Sequence, residues 1–359
     1  MTPRLPVAEP AACGFDPARL ERACGLLKKW AAEDKIPSAG ICVGRRGRMV
    51  EPRFFGPVKP DALFLTASLT KPLTVTAAMM LVERGLLALE DRVSSLLPAF
   101  KHEAVQVRHL MTHTSGLPDM LPDNEKLRKA HKPLAAFVDG ACKVPLLFAP
   151  GTRVSYQSMG TLLLAEIVHQ ASGKALRDFL AEEVFGPLGM ADTSLGWVES
   201  KKARIARVRV AEETDWGWNS AYWLGLGAPW GGMLASPTDL GRFAQMMLNG
   251  GELDGTRLLS RASVREMTTN QLETMPTVPE EDRRCRPWGL GWRLDWPAYS
   301  SSFGDLLGVR AYGHWGATGT LWWMDPDAEA WLVLLTTQPQ EPEGRFLARV
   351  SNAVAAALA

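Results

Sequence analysis

The chain has 359 residues, 46% of them hydrophobic and 22% charged, which is the composition of a globular protein and excludes a disordered, collagen-like or coiled-coil chain. Its 40 basic and 39 acidic side chains leave a net charge of +1, without the basic excess of nucleic-acid-binding proteins. We predict no membrane span, because no run of about 18 apolar residues occurs. No secretory leader is visible near Met1, so the expected compartment is the cytoplasm.

The cysteine and histidine patterns predict neither a disulfide framework nor a metal site. The cysteines are odd in number and lack a CxxC spacing, at Cys13, Cys24, Cys42, Cys142 and Cys285. His109 and His113 have the helical spacing of two metal ligands, but the glutamate that follows the first histidine in zinc hydrolases is missing. We therefore predict no metal and no cofactor.

The first predicted elements are a helix and a hairpin. Asp16 and Pro17 have the pattern of an N-cap and a first helical residue, and apolar residues follow at helical spacing, so we predict a helix over residues 17–33. Two short apolar runs, residues 39–44 and 48–52, are separated by a turn. This pattern predicts an antiparallel pair of strands near the start of the chain.

Helical patterns dominate the middle of the chain, with Gly- and Pro-rich connectors between them. They cover residues 68–84, 104–112, 133–142, 159–171, 175–184 and 239–248. The basic run Lys201–Val210 alternates charged and apolar residues, which predicts a strand with one exposed face rather than a nucleic-acid-binding patch.

The C-terminal third returns to short strands. A last helix is predicted over about 343–358, after strand-like runs over residues 288–296, 311–314, 320–324 and 331–337. We predict an α+β fold in which the N-terminal hairpin and these strands form one antiparallel sheet flanked by helices. The sheet lobe would comprise about residues 1–65 and 205–359. A mainly helical lobe of about 66–204 would be inserted between them, so that residues 1–359 form one catalytic domain.

Ser68 and Lys71 are the first candidates for chemistry. Residues three apart share a helix face, so the Ser68 hydroxyl and the Lys71 amine can come within hydrogen-bond distance. Pro72 is tolerated only in a first helical turn, which places Ser68 at a helix N-terminus, where free backbone N–H groups favour negative charge. A buried lysine can lose its proton near neutral pH and then accept the proton of a serine. One Ser-x-x-Lys pattern is expected by chance in a chain of this length, so the interpretation needs further motifs.

Two later segments supply these motifs. Tyr156-x-Ser158 follows a Pro-Gly turn and opens a helix, and His314-x-Gly316 lies at a strand edge. In this order the three motifs resemble those of the serine β-lactamase-related superfamily, in particular the branch with class C β-lactamases, DD-peptidases and family VIII carboxylesterases. The likeness covers roughly residues 15–358 and includes the stretches Val107–Pro118, Gly231–Ser236 and Trp288–Trp292.

The resemblance implies a β-lactamase/transpeptidase-like fold and a role for each matching residue. Ser68 would be the nucleophile, with Lys71 beside it. Tyr156 would be the general base or would share that role with Lys71. The backbone N–H groups of Ser68 and Ala317 would form the oxyanion hole.

The residues implied to bind substrate depart from the family pattern. They are Ser158, His314, Trp315 and Gly316. Where this chain has His314, β-lactamases and DD-peptidases usually have a lysine, and the fixed charge of that lysine holds a substrate carboxylate. Where this chain has Ser158, they often have an asparagine. Both changes weaken the case for β-lactams and peptides and leave intact the groups that attack an ester. We therefore predict an esterase for short to medium acyl groups that works through a Ser68 acyl-enzyme.

The sequence leaves other functions open. The same nucleophile fits a β-lactamase or D-amino-acid peptidase, or an acyltransferase to a small alcohol or amine, and the same fold without turnover would be a scaffold. A tryptophan-rich segment could line an apolar pocket with Trp315 or simply pack between the lobes: Trp216, Trp218, Trp223 and Trp230. The expected partner is a small-molecule ester, and the sequence does not define an oligomeric state.

Overall fold

The computed structural model of the chain describes residues 3–294, 303–339 and 345–358. Its α-helices are α1 (Pro17–Ala32), α2 (Thr70–Glu83), α3 (Val93–Leu96), α4 (Val107–Met111), α5 (Asn124–Lys129), α6 (Leu134–Lys143), α7 (Ser158–Ser172), α8 (Leu176–Leu180), α9 (Ala221–Leu226), α10 (Pro237–Leu248), α11 (Arg261–Met267), α12 (Glu280–Cys285) and α13 (Phe346–Ala355). Its strands are β1 (Ala39–Arg45), β2 (Arg48–Met49), β3 (Arg53–Phe55), β4 (Phe64–Leu65), β5 (Ser194–Leu195), β6 (Met233–Ala235), β7 (Glu252–Leu253), β8 (Thr256–Arg257), β9 (Arg293–Leu294), β10 (Tyr312–Gly316), β11 (Thr320–Asp325) and β12 (Ala330–Thr336).

The largest sheet joins the two ends of the chain. Its strand order is β2-β1-β12-β11-β10-β9, all pairs are antiparallel, and β3 pairs with β1 beside β2. β1 and β12 are buried along their whole length, because helices cover both faces of the sheet. Ile41 belongs to the cluster with α1 and α13, whereas its neighbour Cys42 belongs to the cluster with α10. The predicted α+β fold, with one antiparallel sheet flanked by helices, is confirmed.

A second, three-stranded sheet sets the entrance to α2. Its order is β4-β6-β5, and β4 runs straight into the turn before α2. Thr66, the residue after β4, bonds the carbonyl oxygen of Met233 with both its backbone N–H (2.9 Å) and its hydroxyl (3.0 Å). The chain position from which α2 starts is therefore fixed by backbone pairing.

Helices α2 and α7 pack side by side in the helical part of the molecule, with α4, α6 and α8 around them. The predicted helices of this region are confirmed, with residues 175–184 divided between α8 and a π-helical turn, Ala181–Phe185. The predicted lobe boundaries near residues 65 and 205 stay a prediction. In the part of the chain that the structure describes, no helix combines the length and apolarity needed to cross a bilayer.

The predicted strand over Lys201–Val210 is wrong. Residues Glu199–Arg204 form a 3₁₀ helix, and Ile205 makes an isolated bridge to Leu63. The Arg204 side chain lies 2.7 Å from Asp192 Oδ1 and donates to the backbone of Asp61, so the charged residues of this run serve separate partners. Alternation in the sequence cannot show whether a sheet edge is available to pair with.

The predicted run 288–296 is a strand only over Arg293–Leu294, with Trp288 bridging back to Arg293. Residues 295–296 of that run, and 343–344 of the predicted last helix, lie outside the described residues. The remaining predicted strands correspond to β10, β11 and β12.

Candidate active site

Ser68 stands at the entrance to α2. Residues Ala67–Leu69 form a 3₁₀ turn that continues into α2 at Thr70. Ala67 adopts a left-handed φ of 48°, which an L-residue accepts only where the surroundings enforce it. Ser68 is partly exposed, whereas the residues on either side of it are buried. The turn therefore presents one hydroxyl to the surface at a helix N-terminus, where backbone N–H groups lack intrahelical acceptors.

Lys71 lies beneath this hydroxyl and is 1% exposed. Its Nζ is 3.1 Å from Ser68 Oγ and 3.0 Å from the backbone oxygen of Trp230. Burial lowers the pKa of Lys71 from 10.5 to about 7, and the charge of Asp119 opposes the shift. An amine with this pKa is unprotonated in a large fraction of molecules at neutral pH, so it can accept a proton from Ser68.

Tyr156 completes the group predicted from the sequence. Its phenol is hydrogen-bonded with Ser68, and the Lys71 amine lies 4.6 Å from the centre of its ring. Burial raises the pKa of Tyr156, the hydrogen bond with Ser68 lowers it, and the carboxylate of Asp119 raises it further. Because the pKa is raised overall, the resting form of Tyr156 is the neutral phenol, a proton donor. The structure thus brings Ser68, Lys71 and Tyr156 together.

His113 holds the segment that carries Tyr156. Its backbone oxygen accepts from the N–H of Ser155 (2.9 Å), and its Nδ1 accepts from the N–H of Gln157 (3.2 Å). Its ring centre is 4.7 Å from that of Tyr156, and Trp288 packs on it at 4.3 Å. Burial lowers the pKa of His113 well below its ordinary value, with Lys71, His314 and Arg293 acting in the same direction. His113 is therefore neutral, and its two hydrogen bonds hold the residues that precede and follow Tyr156 in the chain.

The turn between β10 and β11 is fastened over the entrance to α2. Thr318 donates its hydroxyl proton to the backbone oxygen of Leu65 (2.6 Å), and Thr320 does the same to Thr66 (2.8 Å). A Cβ on Gly316 would lie 2.3 Å from the backbone oxygen of Thr66, so only glycine permits this approach. Ala317, the next residue, is exposed. Its N–H therefore belongs to the turn that is joined to Leu65 and Thr66, the residues that precede the 3₁₀ turn of Ser68. Its role in an oxyanion hole stays a prediction.

His314 is fully buried, with its Nδ1 2.8 Å from the backbone oxygen of Trp315. That oxygen can only accept, so Nδ1 carries the proton and Nε2 is left as a buried acceptor without a partner among the described residues. Burial lowers the pKa of His314 to about 3, and the charge of Lys71 adds to the effect. Any contact of this motif with substrate must come from the β10 backbone or from Trp315, which is partly exposed.

The hydroxyl of Ser158 has a partner within the protein. Its Oγ donates to Asp119 Oδ1 (2.7 Å), and its backbone N–H donates to the same oxygen (2.9 Å). Asp119 belongs to the loop between α4 and α5 and is exposed. The carboxylate also satisfies the first N–H of α7, which has no cap from its own chain neighbours.

The four tryptophans of the Trp-rich segment form two groups: Trp223 and Trp230 are buried, whereas Trp216 and Trp218 are partly exposed. Trp223 and Trp230 are buried in the core, 6.3 Å apart between ring centres. Trp216 is partly buried, and the Arg128 guanidinium lies 5.1 Å from its ring centre and 4.2 Å from that of Trp223. Trp223 and Trp230 therefore pack the interior, and the backbone oxygen of Trp230 serves Lys71.

The two histidines with metal-ligand spacing are engaged elsewhere. His109 Nδ1 accepts from the N–H of Gln106 (3.1 Å), and His113 Nδ1 accepts from Gln157. Within residues 3–294, 303–339 and 345–358, no group of three or more metal-ligating side chains occurs.

Comparison with known proteins identifies the family of the chain. The sequence profile of the Beta-lactamase family matches residues 25–357. The chain belongs to the β-lactamase family. Over 277 residues it is 32% identical to "Penicillin-binding protein 4" of Amycolatopsis lactamdurans, an alignment that covers 73% of this chain and 68% of the relative. The protein is a serine hydrolase of the β-lactamase and penicillin-binding protein superfamily.

Two solved structures show the same fold at low sequence identity. A penicillin-binding protein homologue from Caulobacter crescentus superposes with a TM-score of 0.76 at 22% identity, covering 96% of this chain and 99% of its own. A family VIII carboxylesterase superposes with a TM-score of 0.73 at 20% identity, covering 94% of this chain and 98% of its own. Names that refer to penicillin binding and to ester hydrolysis thus accompany one architecture.

Sequence reasoning missed His113, Asp119 and Trp288 as neighbours of the site. His113 was considered only as a metal ligand, and Asp119 was not considered. The signal that could have found them is position, since His113 and Trp288 stand in stretches that resemble the family, Val107–Pro118 and Trp288–Trp292. Asp119 follows the first of these stretches directly.

Proposed function

We propose that the protein is a carboxylesterase that cleaves esters of short to medium acyl groups through an acyl-enzyme on Ser68. The observation that carries the proposal is the buried amine of Lys71, 3.1 Å from Ser68 Oγ, with a pKa of about 7. A serine is a weak nucleophile until a base takes its proton, and a base with this pKa suits neutral pH.

In the proposed mechanism, Lys71 Nζ takes the proton of Ser68 as Oγ attacks the ester carbonyl carbon. The carbonyl oxygen becomes an anion, which the N–H groups of Ser68 and Ala317 stabilise. The C–O bond to the alcohol then breaks, and the alcohol leaves with the phenolic proton of Tyr156, which the Lys71 ammonium replaces. Water attacks the acyl-enzyme as Lys71 takes one of its protons, the C–O bond to Ser68 breaks, and the Lys71 ammonium returns the proton to Oγ as the acid leaves.

Two features favour an ester over a β-lactam or peptide substrate. His314 is neutral and fully buried, so it offers no cation to a substrate carboxylate. The hydroxyl of Ser158 is taken up by Asp119, so it does not replace an amide that would hold a substrate carbonyl. Neither feature affects the groups around Ser68.

The test is hydrolysis of p-nitrophenyl butyrate by the wild-type protein and by Ser68→Ala. We expect the substitution to lower the rate of hydrolysis at least about 10³-fold, because the nucleophile is lost. Ser95→Ala, which changes an exposed serine of α3, is the matched control and should react as the wild type does. Full activity in Ser68→Ala would refute the assignment.

The likeness to a penicillin-binding protein supports a second candidate, a β-lactamase or D-amino-acid peptidase with the same nucleophile. Nitrocefin assayed beside the butyrate ester separates the two, since rapid and saturable nitrocefin turnover would favour the second. A fluorophosphonate probe that fails to label Ser68 in folded protein would favour a scaffold without turnover. Small alcohols or amines added to the ester assay, with products resolved by mass spectrometry, would reveal acyl transfer.

A further inference from the structure

Asp119 places a fixed carboxylate beside the segment that carries Tyr156. Its Oδ1 accepts from both the N–H and the hydroxyl of Ser158, and its backbone oxygen is 3.2 Å from the same N–H. Ser158 is two residues beyond Tyr156 and is 2% exposed, so its hydrogen bonds hold the Asp119 carboxylate in a fixed position near Tyr156. The carboxylate itself is exposed.

The Asp119 carboxylate accepts hydrogen bonds from Ser158 but has no cation at ion-pair distance among the described residues. Its charge nevertheless acts on the reacting groups: after the effect of burial, it raises the pKa of Lys71, and it also raises the pKa of Tyr156. The field of this carboxylate therefore reaches Lys71 and Tyr156, the two groups beside Ser68.

The cations near the site are withdrawn from solvent. Lys71 is buried, and Arg293 is 7% exposed, with its guanidinium 5.1 Å from the ring centre of Trp315 and 5.9 Å from that of Trp288. His314 is neutral. Among the described groups whose charges act on Lys71, Tyr156 or His314, Asp119 alone is exposed. Of these groups, the only one that is exposed to solvent therefore carries a negative charge.

We propose that the Asp119–Ser158 pair is a charge-selective subsite that favours esters carrying a cationic group, such as a quaternary ammonium, over esters carrying a carboxylate. The inference rests on the proposed esterase function and names its substrate class. A cation is attracted by the fixed carboxylate, whereas an anion is repelled by it and finds no exposed cation among the groups named above. The Ser158 hydroxyl holds the carboxylate in place.

Three p-nitrophenyl esters with one chain length and one leaving group test the proposal: ω-(trimethylammonio)hexanoate, hexanoate and the monoester of adipate. The readout is the ratio of kcat/KM for the cationic ester to that for the anionic ester. Asp119→Asn removes the charge and keeps an oxygen that can accept from Ser158. Asp123→Asn removes one charge from an exposed residue of the same loop and is the matched control.

We expect the wild-type ratio to exceed that of Asp119→Asn by about tenfold at low salt, and the excess to shrink at about 0.5 M NaCl, where exposed charges are screened. Any change in the basicity of Lys71 alters all three rates alike and cancels in the ratio. Asp123→Asn should keep the wild-type ratio. An equal ratio in wild type and Asp119→Asn would overturn the inference. The esterase proposal is tested separately: it stands if the wild type hydrolyses the neutral hexanoate ester and Ser68→Ala does not.

Discussion

Replacing Lys71 with methionine should strongly reduce activity and stabilise the folded protein at neutral pH. Lys71 is 1% exposed, and burial lowers its pKa from 10.5 to about 7. The folded protein therefore binds the lysine proton more weakly than the unfolded chain does, which at low pH costs about 5 kcal/mol of folding free energy. Methionine is unbranched and apolar and fills the same space without that cost.

The pH dependence of this cost has a definite sign. Below pH 7 both states carry the ammonium, and the whole penalty applies. Between pH 7 and 10.5 the folded protein has released the proton while the unfolded chain retains it, so the free energy of unfolding rises with pH. Above pH 10.5 both states are neutral and the penalty is gone.

The methionine variant also loses two hydrogen bonds, those of Lys71 Nζ with Ser68 and with Trp230. A buried acceptor without a donor costs about 1–3 kcal/mol, which leaves a net stabilisation of about 2 kcal/mol or more below pH 7. The loss of the base should lower kcat/KM by about 10²- to 10⁴-fold.

The assay is thermal unfolding of wild type and Lys71→Met at several pH values between about 6 and 9.5. We expect the variant to melt at the higher temperature near pH 6, and the gap to narrow as the pH rises. Lys28→Met, at an exposed position of α1, should follow the wild-type curve at every pH. Parallel curves for wild type and Lys71→Met between pH 7 and 9.5 would refute the view that burial neutralises this lysine.

Two further substitutions test how the site is held together. Gly316→Ala places a methyl group 2.3 Å from the backbone oxygen of Thr66, so we expect the strand edge to move away from Ser68 and fluorophosphonate labelling to slow by about 10²-fold; a wild-type labelling rate would contradict this. His113→Phe removes the acceptor for Gln157 and should lower kcat by about tenfold or more with little change in KM. His113→Asn keeps an oxygen in place of Nδ1 and accepts the left-handed φ of 60°, so it should retain most of the activity. The opposite pattern, with activity kept in His113→Phe and lost in His113→Asn, would show that the ring, not the hydrogen bond, matters.

The part of the site that follows from short-range geometry could be predicted from the sequence. Ser68 and Lys71 are three residues apart on one helix, and Pro72 marks the start of that helix, so their contact needs no knowledge of the rest of the chain. Tyr156 was placed by resemblance to a family, because its distance from Ser68 along the chain carries no geometric information. The sheet was predicted for a similar reason, since strand patterns at both chain ends left few other pairings.

The contacts that could not be predicted depend on tertiary packing. Asp119 meets Ser158 across 39 residues, and neither residue carries a periodic signal that points to the other. The same holds for the burial of His314, which the sequence placed against the substrate but the structure encloses between Tyr156 and Trp288, with ring centres 6.0 and 5.9 Å away. Burial is what lowers the pKa of His314, and burial depends on tertiary packing, so the sequence alone could not predict the low pKa.

Because β1 pairs with β12, the central sheet cannot form until long after β1 has been synthesised. The N–H of Ser38 bonds the hydroxyl of Thr337, 299 residues further along, so the first strand of the sheet leaves the ribosome long before its neighbour exists. At translation rates of about 5–20 residues per second, this wait lasts on the order of 15 to 60 s. Throughout this interval, the edge of β1 that will pair with β12 has only water or temporary partners for its backbone N–H and C=O groups. Ser68 is made early, but the sheet closes only after β10, β11 and β12 have been made.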